Sequence, residues 1–195
     1  MEIQTKRFLL RDFAEADRAA FLAYQADPRA HAFYGPDDVG LERATSLFEA
    51  FQVWASDRPR LNYQLAIVQR AEPYTLIGCC GLRRSGAEPG EAELGVELAP
   101  DYWGRYGYAV EVGRALLGFG FETVGLSAIT GSTVSANGRV QRLAEWFGAE
   151  VESVRPGAEW MASHEWTEVN WRITRDQWAA RHAAVEPATA GRQHA

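Results

Sequence analysis

The segment APDYWGRYGYAVEVGRALLGFGF, Ala99 to Phe121, constrains the fold more than any other part of the chain. It joins an apolar strand pattern, AELGVELAP, to an apolar helix pattern, and the link GRYGY holds two glycines, an arginine and two tyrosines. A turn and a cap would suffice for a plain strand-to-helix connection, so the surplus glycine implies close approach of something to the backbone. A helix N-terminus presents unpaired N–H groups and a positive dipole end, and a glycine-bearing loop before it lets a phosphate reach them. WGRYGYA therefore suits a pyrophosphate, although packing alone also produces such links. A Rossmann site needs G-x-G-x-x-G after a first strand and an acidic residue about 20 positions on. This link lies mid-chain without that spacing, and no G-K-[ST] of a Walker loop is present.

The flanking patterns are mixed α/β. RFLLRDF (Arg7 to Phe13) alternates as a strand does, and Asp12 to Asp17 opens an alanine-rich amphipathic helix that stops before Pro28. A second helix is expected from about Val39 to Ser56, then strands near Tyr63 to Gln69, Thr75 to Arg83 and AELGVELAP. The helix after the glycine link is expected from Tyr108 to about Thr123. LSAITGST, AEVESV and WTEVNWRIT complete about seven strands, with the helix NGRVQRLAEWFGA stopped by Gly148 and a short polar helix from Arg175 to Ala184. Residues 1–185 read as one domain. The last ten, EPATAGRQHA, have almost no apolar content and are expected to be a disordered tail.

Charge narrows the partners. A net charge of −6 and a pI near 5.3 argue against a phosphate-coating surface, so no nucleic acid is expected. No window approaches the roughly 18 uninterrupted apolar residues of a membrane span, and the start MEIQTKRFLLRDF lacks the apolar run of a secretory signal. The expected location is cytoplasmic, with no membrane partner. Cys79 and Cys80 are adjacent, so in a strand they point to opposite faces and read as two small thiols of a reducing compartment. His31, His164, His182 and His194 are scattered, and no metal is expected.

Six ordered pieces, TKRFLLRDF, ADPRA, LIGCCGLR, AELGVELAPDYWGRYGYA, ANGRVQRLAEWFGA and TEVNWRITRDQW, resemble the GNAT superfamily of acyl-CoA-dependent N-acyltransferases. The resemblance covers roughly Thr5 to Trp178 and is closest to the Rim-type branch, the ribosomal-protein N-terminal acetyltransferases and their relatives. It departs from the family pattern in three places. YWGRYGYA carries one residue more than the usual YWGKGYA, here taken as Tyr106, Val140 stands where a Ser is usual, and Ala144 stands where other branches often have a tyrosine acid.

The resemblance implies a mixed central sheet flanked by helices, with two central strands splayed. It implies acetyl-CoA, or another acyl-CoA, as cosubstrate. The main chain of Val96 and Leu98 would bond the pantetheine arm, and the amides of Arg105, Tyr106, Gly107, Tyr108 and Ala109 would take the pyrophosphate. Asn137 would meet the cofactor from the other wall, and Arg139 or Arg142 would reach its 3′-phosphate. Strand core for Val96 and Leu98, a helix N-cap for Asn137 and plain helix surface for the arginines are readings that stand beside these.

Acyl transfer to an amine needs a deprotonated nucleophile, a polarised carbonyl and a protonated leaving thiol. Glu93 and Glu97, four apart on one strand, share a face, and either carboxylate can take a proton from an ammonium. Glu93 matches the acidic residue of the family's A-E-[IL]-G strand and is preferred, Glu97 reading as a solvent-facing strand charge. The Leu98 amide is the expected oxyanion donor. Tyr34 and Trp54 are the preferred acceptor contacts among Phe33, Trp160, Trp166, Trp171 and the other aromatics; Asp37 and Asp38 would suit a cationic amine but read first as a solvated loop charge pair. The expected activity is acetyl transfer to a primary amine, a small molecule or a protein N-terminus, by direct attack in a ternary complex. A non-catalytic acyl-CoA sensor, a succinyl- or O-acyltransferase, and a homodimer stay open.

Overall fold

The computed structural model describes residues 1–183, so the expected tail at 186–195 lies outside the described residues. Among these residues eight strands form one sheet: β1 Glu2–Gln4, β2 Phe8–Arg11, β3 Asn62–Gln69, β4 Leu76–Arg83, β5 Glu91–Leu98, β6 Ala128–Val134, β7 Glu150–Pro156 and β8 Thr167–Thr174. Their order is β1-β2-β3-β4-β5-β6-β8-β7, and only β5 and β6 run parallel. The strand beyond the expected seven is β1, three residues long and too short to show alternation.

Among the described residues six α-helices accompany the sheet: α1 Arg18–Gln25, α2 Leu41–Ser56, α3 Tyr106–Gly118, α4 Gly138–Phe147, α5 Glu159–Ala162 and α6 Arg175–Ala183. Helix α3 starts two residues before its expected Tyr108 and continues into a π-helical turn at Phe119–Val124, ended by Gly125 in the left-handed region. Helix α4 stops at Gly148, φ 81°, as the glycine predicts.

Alternation assigns the two faces of the sheet. Ala66, Val68 and Cys79 pack with Phe13, Phe21, Tyr24, Phe48 and Phe51 beneath α1 and α2. Leu65, Ile67, Ile77 and Cys80 pack on the opposite side with Val112 and Leu116 of α3. The adjacent cysteines thus do face opposite ways, both buried and free.

Helix α1 is anchored to the sheet by a charge pair. Arg11 at the end of β2 donates to both carboxylate oxygens of Asp17, at 2.6 and 2.8 Å, and Asp17 also accepts from the Ala14 backbone at 2.8 Å. Asp17 is buried. The two-pronged contact holds the start of the helix that carries Tyr24 and Gln25. Removing one partner strands the other, so Asp17→Ala is expected to lower unfolding free energy by about 3 kcal/mol, read by urea denaturation. A loss within experimental error would mean that α1 is held by its apolar face alone.

Candidate active site

Pairing between β5 and β6 covers only Glu91, Ala92 and Glu93, opposite Ala128, Ile129 and Thr130. Beyond Glu93 the two strands part. β5 stays paired with β4 through Leu98, and β6 stays paired with β8 through Val134. The Ala99 amide donates to the Ile77 carbonyl at 2.8 Å. In an antiparallel ladder the main-chain groups of alternate residues turn to opposite sides. By that alternation Leu94, Val96 and Leu98 turn theirs into the gap. Trp103 Nε1 donates to the Leu98 carbonyl at 2.7 Å. The remaining groups need a partner, which an extended ligand bearing amides provides.

The mouth of the gap is the N-terminus of α3. Gly104, φ 79°, turns the chain, Arg105 is the N-cap, and Tyr106 and Gly107 open the helix. The Tyr108 amide is taken by the Arg105 carbonyl at 2.8 Å, so the amides of Tyr106 and Gly107 are the first-turn donors left over. Arg105, Arg139 and Arg142 line the same mouth. Arg139 lies over the Trp103 ring at 4.6 Å, Arg105 sits over Tyr102, and the Tyr106 hydroxyl donates to the Arg142 carbonyl at 2.9 Å. Unpaired N–H groups, a positive dipole end and guanidinium groups together suit a phosphate-bearing ligand. Tyr108 stacks edge-on against Phe8, and a side chain at Gly107 would meet only Arg7; neither residue lines the cavity. Gly104 is the position that needs a glycine. Asn137 lines the opposite wall and caps α4, accepting from the Val140 amide at 3.4 Å.

Gap and mouth belong to one cavity of about 950 Å³ that opens to the α1 and α2 face of the sheet. There the two candidate carboxylates differ. Glu93 is half exposed and its Oε1 lies 3.2 Å from Arg83 Nη2. Glu97 stands opposite Cys79, accepts from the Tyr34 hydroxyl at 2.8 Å and accepts closely from Gln25 Nε2. His31 Nε2 contacts the Gln25 carbonyl at 2.6 Å, fixing the end of α1. The Tyr24 hydroxyl lies in the same cluster, beside Glu97 and Cys79. Burial pushes the Glu97 carboxyl above the ordinary carboxylate range, and the hydrogen bonds from Tyr34 and Gln25 oppose that shift without cancelling it. Burial, reinforced by the Glu97 charge, pushes the Cys79 thiol up to about 12.

Tyr34 reaches the cavity, the residue 47% exposed and its hydroxyl turned inward to Glu97. Trp54 does not line the cavity; it packs on Phe51 at the edge of the core. Trp160, one of the aromatics weighed for the acceptor side, lines the cavity, as do Arg83 and Gln25, which no sequence pattern assigns to a site. Gln25 and Glu97 are 72 residues apart, and no local pattern signals such a contact. Among the described residues no group of three or more His, Cys, Asp or Glu is placed to hold a metal ion, and no helix is long and apolar enough to cross a membrane.

Residues 7–150 match the family model described as an acetyltransferase (GNAT) domain. The chain belongs to the GNAT acetyltransferase family. It is 27% identical over 153 residues to a Bacillus subtilis protein named uncharacterized N-acetyltransferase YoaA, spanning 78% of this chain and 84% of that one. The fold is similar to that of a GNAT-family acetyltransferase from Bacillus anthracis, with a TM-score of 0.74 at 22% identity over 90% of this chain and 99% of the other. A Vibrio cholerae protein provisionally named a ribosomal-protein-serine acetyltransferase shares the fold, with a TM-score of 0.67 at 21% identity over 89% and 97% of the two chains. Proteins of this family use acetyl-CoA as a cosubstrate.

The raised Glu97 pKa sets a sign for stability. The folded protein holds this proton more tightly than the unfolded chain, so the contribution is full below the ordinary carboxylate value of 4.5 and is lost as pH rises through the folded value. The stability of the native protein relative to a Glu97→Gln variant is therefore expected to fall with rising pH above about 4.5 and then to level off. Urea titrations of both proteins from pH 4 to pH 9 measure this. A difference that stays flat with pH would show that Glu97 is not desolvated.

Proposed function

We propose that this GNAT domain is an acyl-CoA-dependent N-acyltransferase acting on a primary amine by direct attack, in the cytoplasm. The observation that carries the reading is the half-buried Glu97 carboxylate, held by Tyr34 and Gln25 beside the splayed gap that ends at the α3 mouth. A CoA pyrophosphate at the amides of Tyr106 and Gly107 would enter the gap at its Leu98 end and run toward the apex at Glu93. The Leu98 amide is then met first, by the pantetheine arm. The Val96 amide lies one alternation deeper and becomes the better-placed donor to the thioester carbonyl.

The bond that forms joins amine nitrogen to acyl carbon, and the bond that breaks is carbon to sulfur. Glu97, whose side chain faces the acceptor side, takes the amine proton. Its raised affinity for protons suits a base that must hold one during attack. Val140 and Ala144 line the cavity and carry no proton to give. An ordinary thiol pKa of about 8.5 lets the sulfur leave as thiolate and take its proton from water. A covalent route through Cys79 is disfavoured, because its thiol is buried and holds its proton at neutral pH. Asp38, Glu93 and Glu168 also line the acceptor side and favour a cationic amine over an anionic one, whether free or at a protein N-terminus.

Thiol release from acetyl-CoA, measured against a panel of amines and N-terminal peptides, tests the reading. Glu97→Gln is expected to lower kcat by roughly 10² to 10⁴ with CoA affinity intact, while Glu93→Gln stays near normal. The reverse order would return the base to Glu93. Tight CoA binding with no turnover on any acceptor would make the protein a sensor. The phosphate register has its own test: Gly104→Ala strains a left-handed turn and is expected to weaken CoA binding severalfold, whereas Gly107→Ala leaves it unchanged. Calorimetry with CoA distinguishes the two, and equal losses would move the phosphate one position along α3.

A further inference from the structure

The two edges of the sheet differ. At one end β1 is three residues long, as edge strands commonly are. At the other end β7 runs for seven residues, EVESVRP, with no lysine and with its proline only at the last position. Val151 is 48% and Val154 58% exposed. Main-chain direction along this edge follows from β8. The Arg175 amide donates to the Ser127 carbonyl and the Ser135 amide to the Thr167 carbonyl, so Thr167, Val169, Trp171 and Ile173 direct their main-chain groups to β6 and the residues between them face β7. Glu150, Ser153 and Arg155, opposite Arg172, Asn170 and Glu168, therefore turn theirs inward. Val151 and Val154 turn theirs outward. Strict alternation would set two residues at that spacing on opposite sides, but the bulge between Val151 and Ser153 brings both valines to one edge and one face, opposite Trp171 and Val169. Glu150 and Arg155 share the other face, and neither makes an ion pair among the described residues.

We propose that the outer edge of β7 pairs antiparallel with the same edge of a second copy of this chain, about a two-fold axis between Glu152 and Ser153. In that register Val151 of one copy faces Val154 of the other, and Glu150 faces Arg155. Both valines carry their main-chain groups outward, so the pair exchanges N–H···O=C bonds in both directions, and the two-fold makes the exchange twice. Valine against valine and carboxylate against guanidinium are favourable cross-strand pairs. Beyond them the ladder stops without stranding a donor. Pro156 has no N–H, and the Ala149 amide that would face it is given to the Ala144 carbonyl at 2.9 Å. Glu152, beside the axis, is drawn to Arg172 at 3.5 Å. A register one residue off in either direction sets Val154 against a glutamate, Glu150 or Glu152, so the match is confined to this one. Edge-to-edge pairing keeps each face of the sheet on its own side. Both acceptor sides, with Trp160 on the α5 that follows β7, then open in the same direction.

Sedimentation velocity on the full chain, from about 1 μM to about 100 μM, tests the proposal. A species of twice the 21.7 kDa chain mass is expected to grow in with concentration. Val154→Lys sets an ammonium against Val151 at both ends of the ladder and should weaken the dimer about hundredfold. Glu150→Arg and Arg155→Glu each oppose like charges and should weaken it about tenfold. Combining the two changes in one chain should restore the native affinity, and mixing the two single variants should yield a dimer that neither forms as well alone. None of these positions lines the cavity, and an unchanged urea midpoint at low concentration shows that each variant is folded. A native chain that stays monomeric throughout, a dimer unmoved by Val154→Lys, or a double variant no tighter than the single ones would overturn the proposal. If the native chain is monomeric and shortening it to residues 1–185 releases a dimer, the edge belongs to residues 186–195 and the second copy is overturned as its occupant.

Discussion

Ladder hydrogen bonding between β5 and β6 stops at Glu93 and Thr130, and the arrangement of the site depends on where it stops. Each strand is fixed to its own half of the sheet, β5 by β4 and β6 by β8, so past that point neither can turn back to satisfy the other. The main-chain groups of Leu94, Val96 and Leu98 are left facing a gap inside the protein. Unpaired backbone in such a place is tolerable only if something enters, and the α3 N-terminus at the wide end selects for an anionic ligand. One interrupted ladder thus yields both a binding slot and its polarity.

The same strand that loses its partner on one edge also presents side chains to both faces. Glu93, Gly95 and Glu97 look toward α1 and α2, while Leu94 and Val96 look toward α3 and α4. The carboxylates of this strand and its apolar side chains are therefore separated by the thickness of one strand. Glu97 differs from Glu93 only in what lies above it. Over Glu93 there is Arg83 and solvent; over Glu97 there are Gln25, Tyr24 and the Tyr34 hydroxyl. Helix α1 can reach that far because Arg11 and Asp17 fix its first turn to β2.

Much of this was legible in the residues. Alternation in RFLLRDF, the glycine stop at Gly148, the opposed cysteines and the succession of strands and helices along the chain all follow from period and punctuation, which act over a few residues. A spacing of four was enough to put both glutamates on one face. It was not enough to choose between them, because the choice depends on α1 side chains some seventy positions earlier. Gly107 read as loop because glycine is a poor helix former, yet it sits in the first turn of α3, where Arg7 donates to its carbonyl at 2.6 Å. The left-handed turn falls at Gly104 instead. Trp54 misled for a related reason: an aromatic on a helix near the site packs inward or outward according to the helix's rotation, and here it follows Phe51 into the core.

What keeps the gap from closing is packing behind it rather than anything in it. Helices α3 and α4 come so close that a Cβ on Gly113 would lie 2.7 Å from the Phe147 ring, and Trp178 of α6 packs at a tilt against both Phe147 and Phe121. That contact fixes the two helices that flank the slot. With β5 and β6 each held by a full ladder on the outer edge, collapse would require breaking one of those ladders or driving α3 into α4. Interiors resist both, since close-packed side chains have no adjacent space to move into. The slot is in this sense preformed, and the free energy of ligand binding need not be spent on opening it.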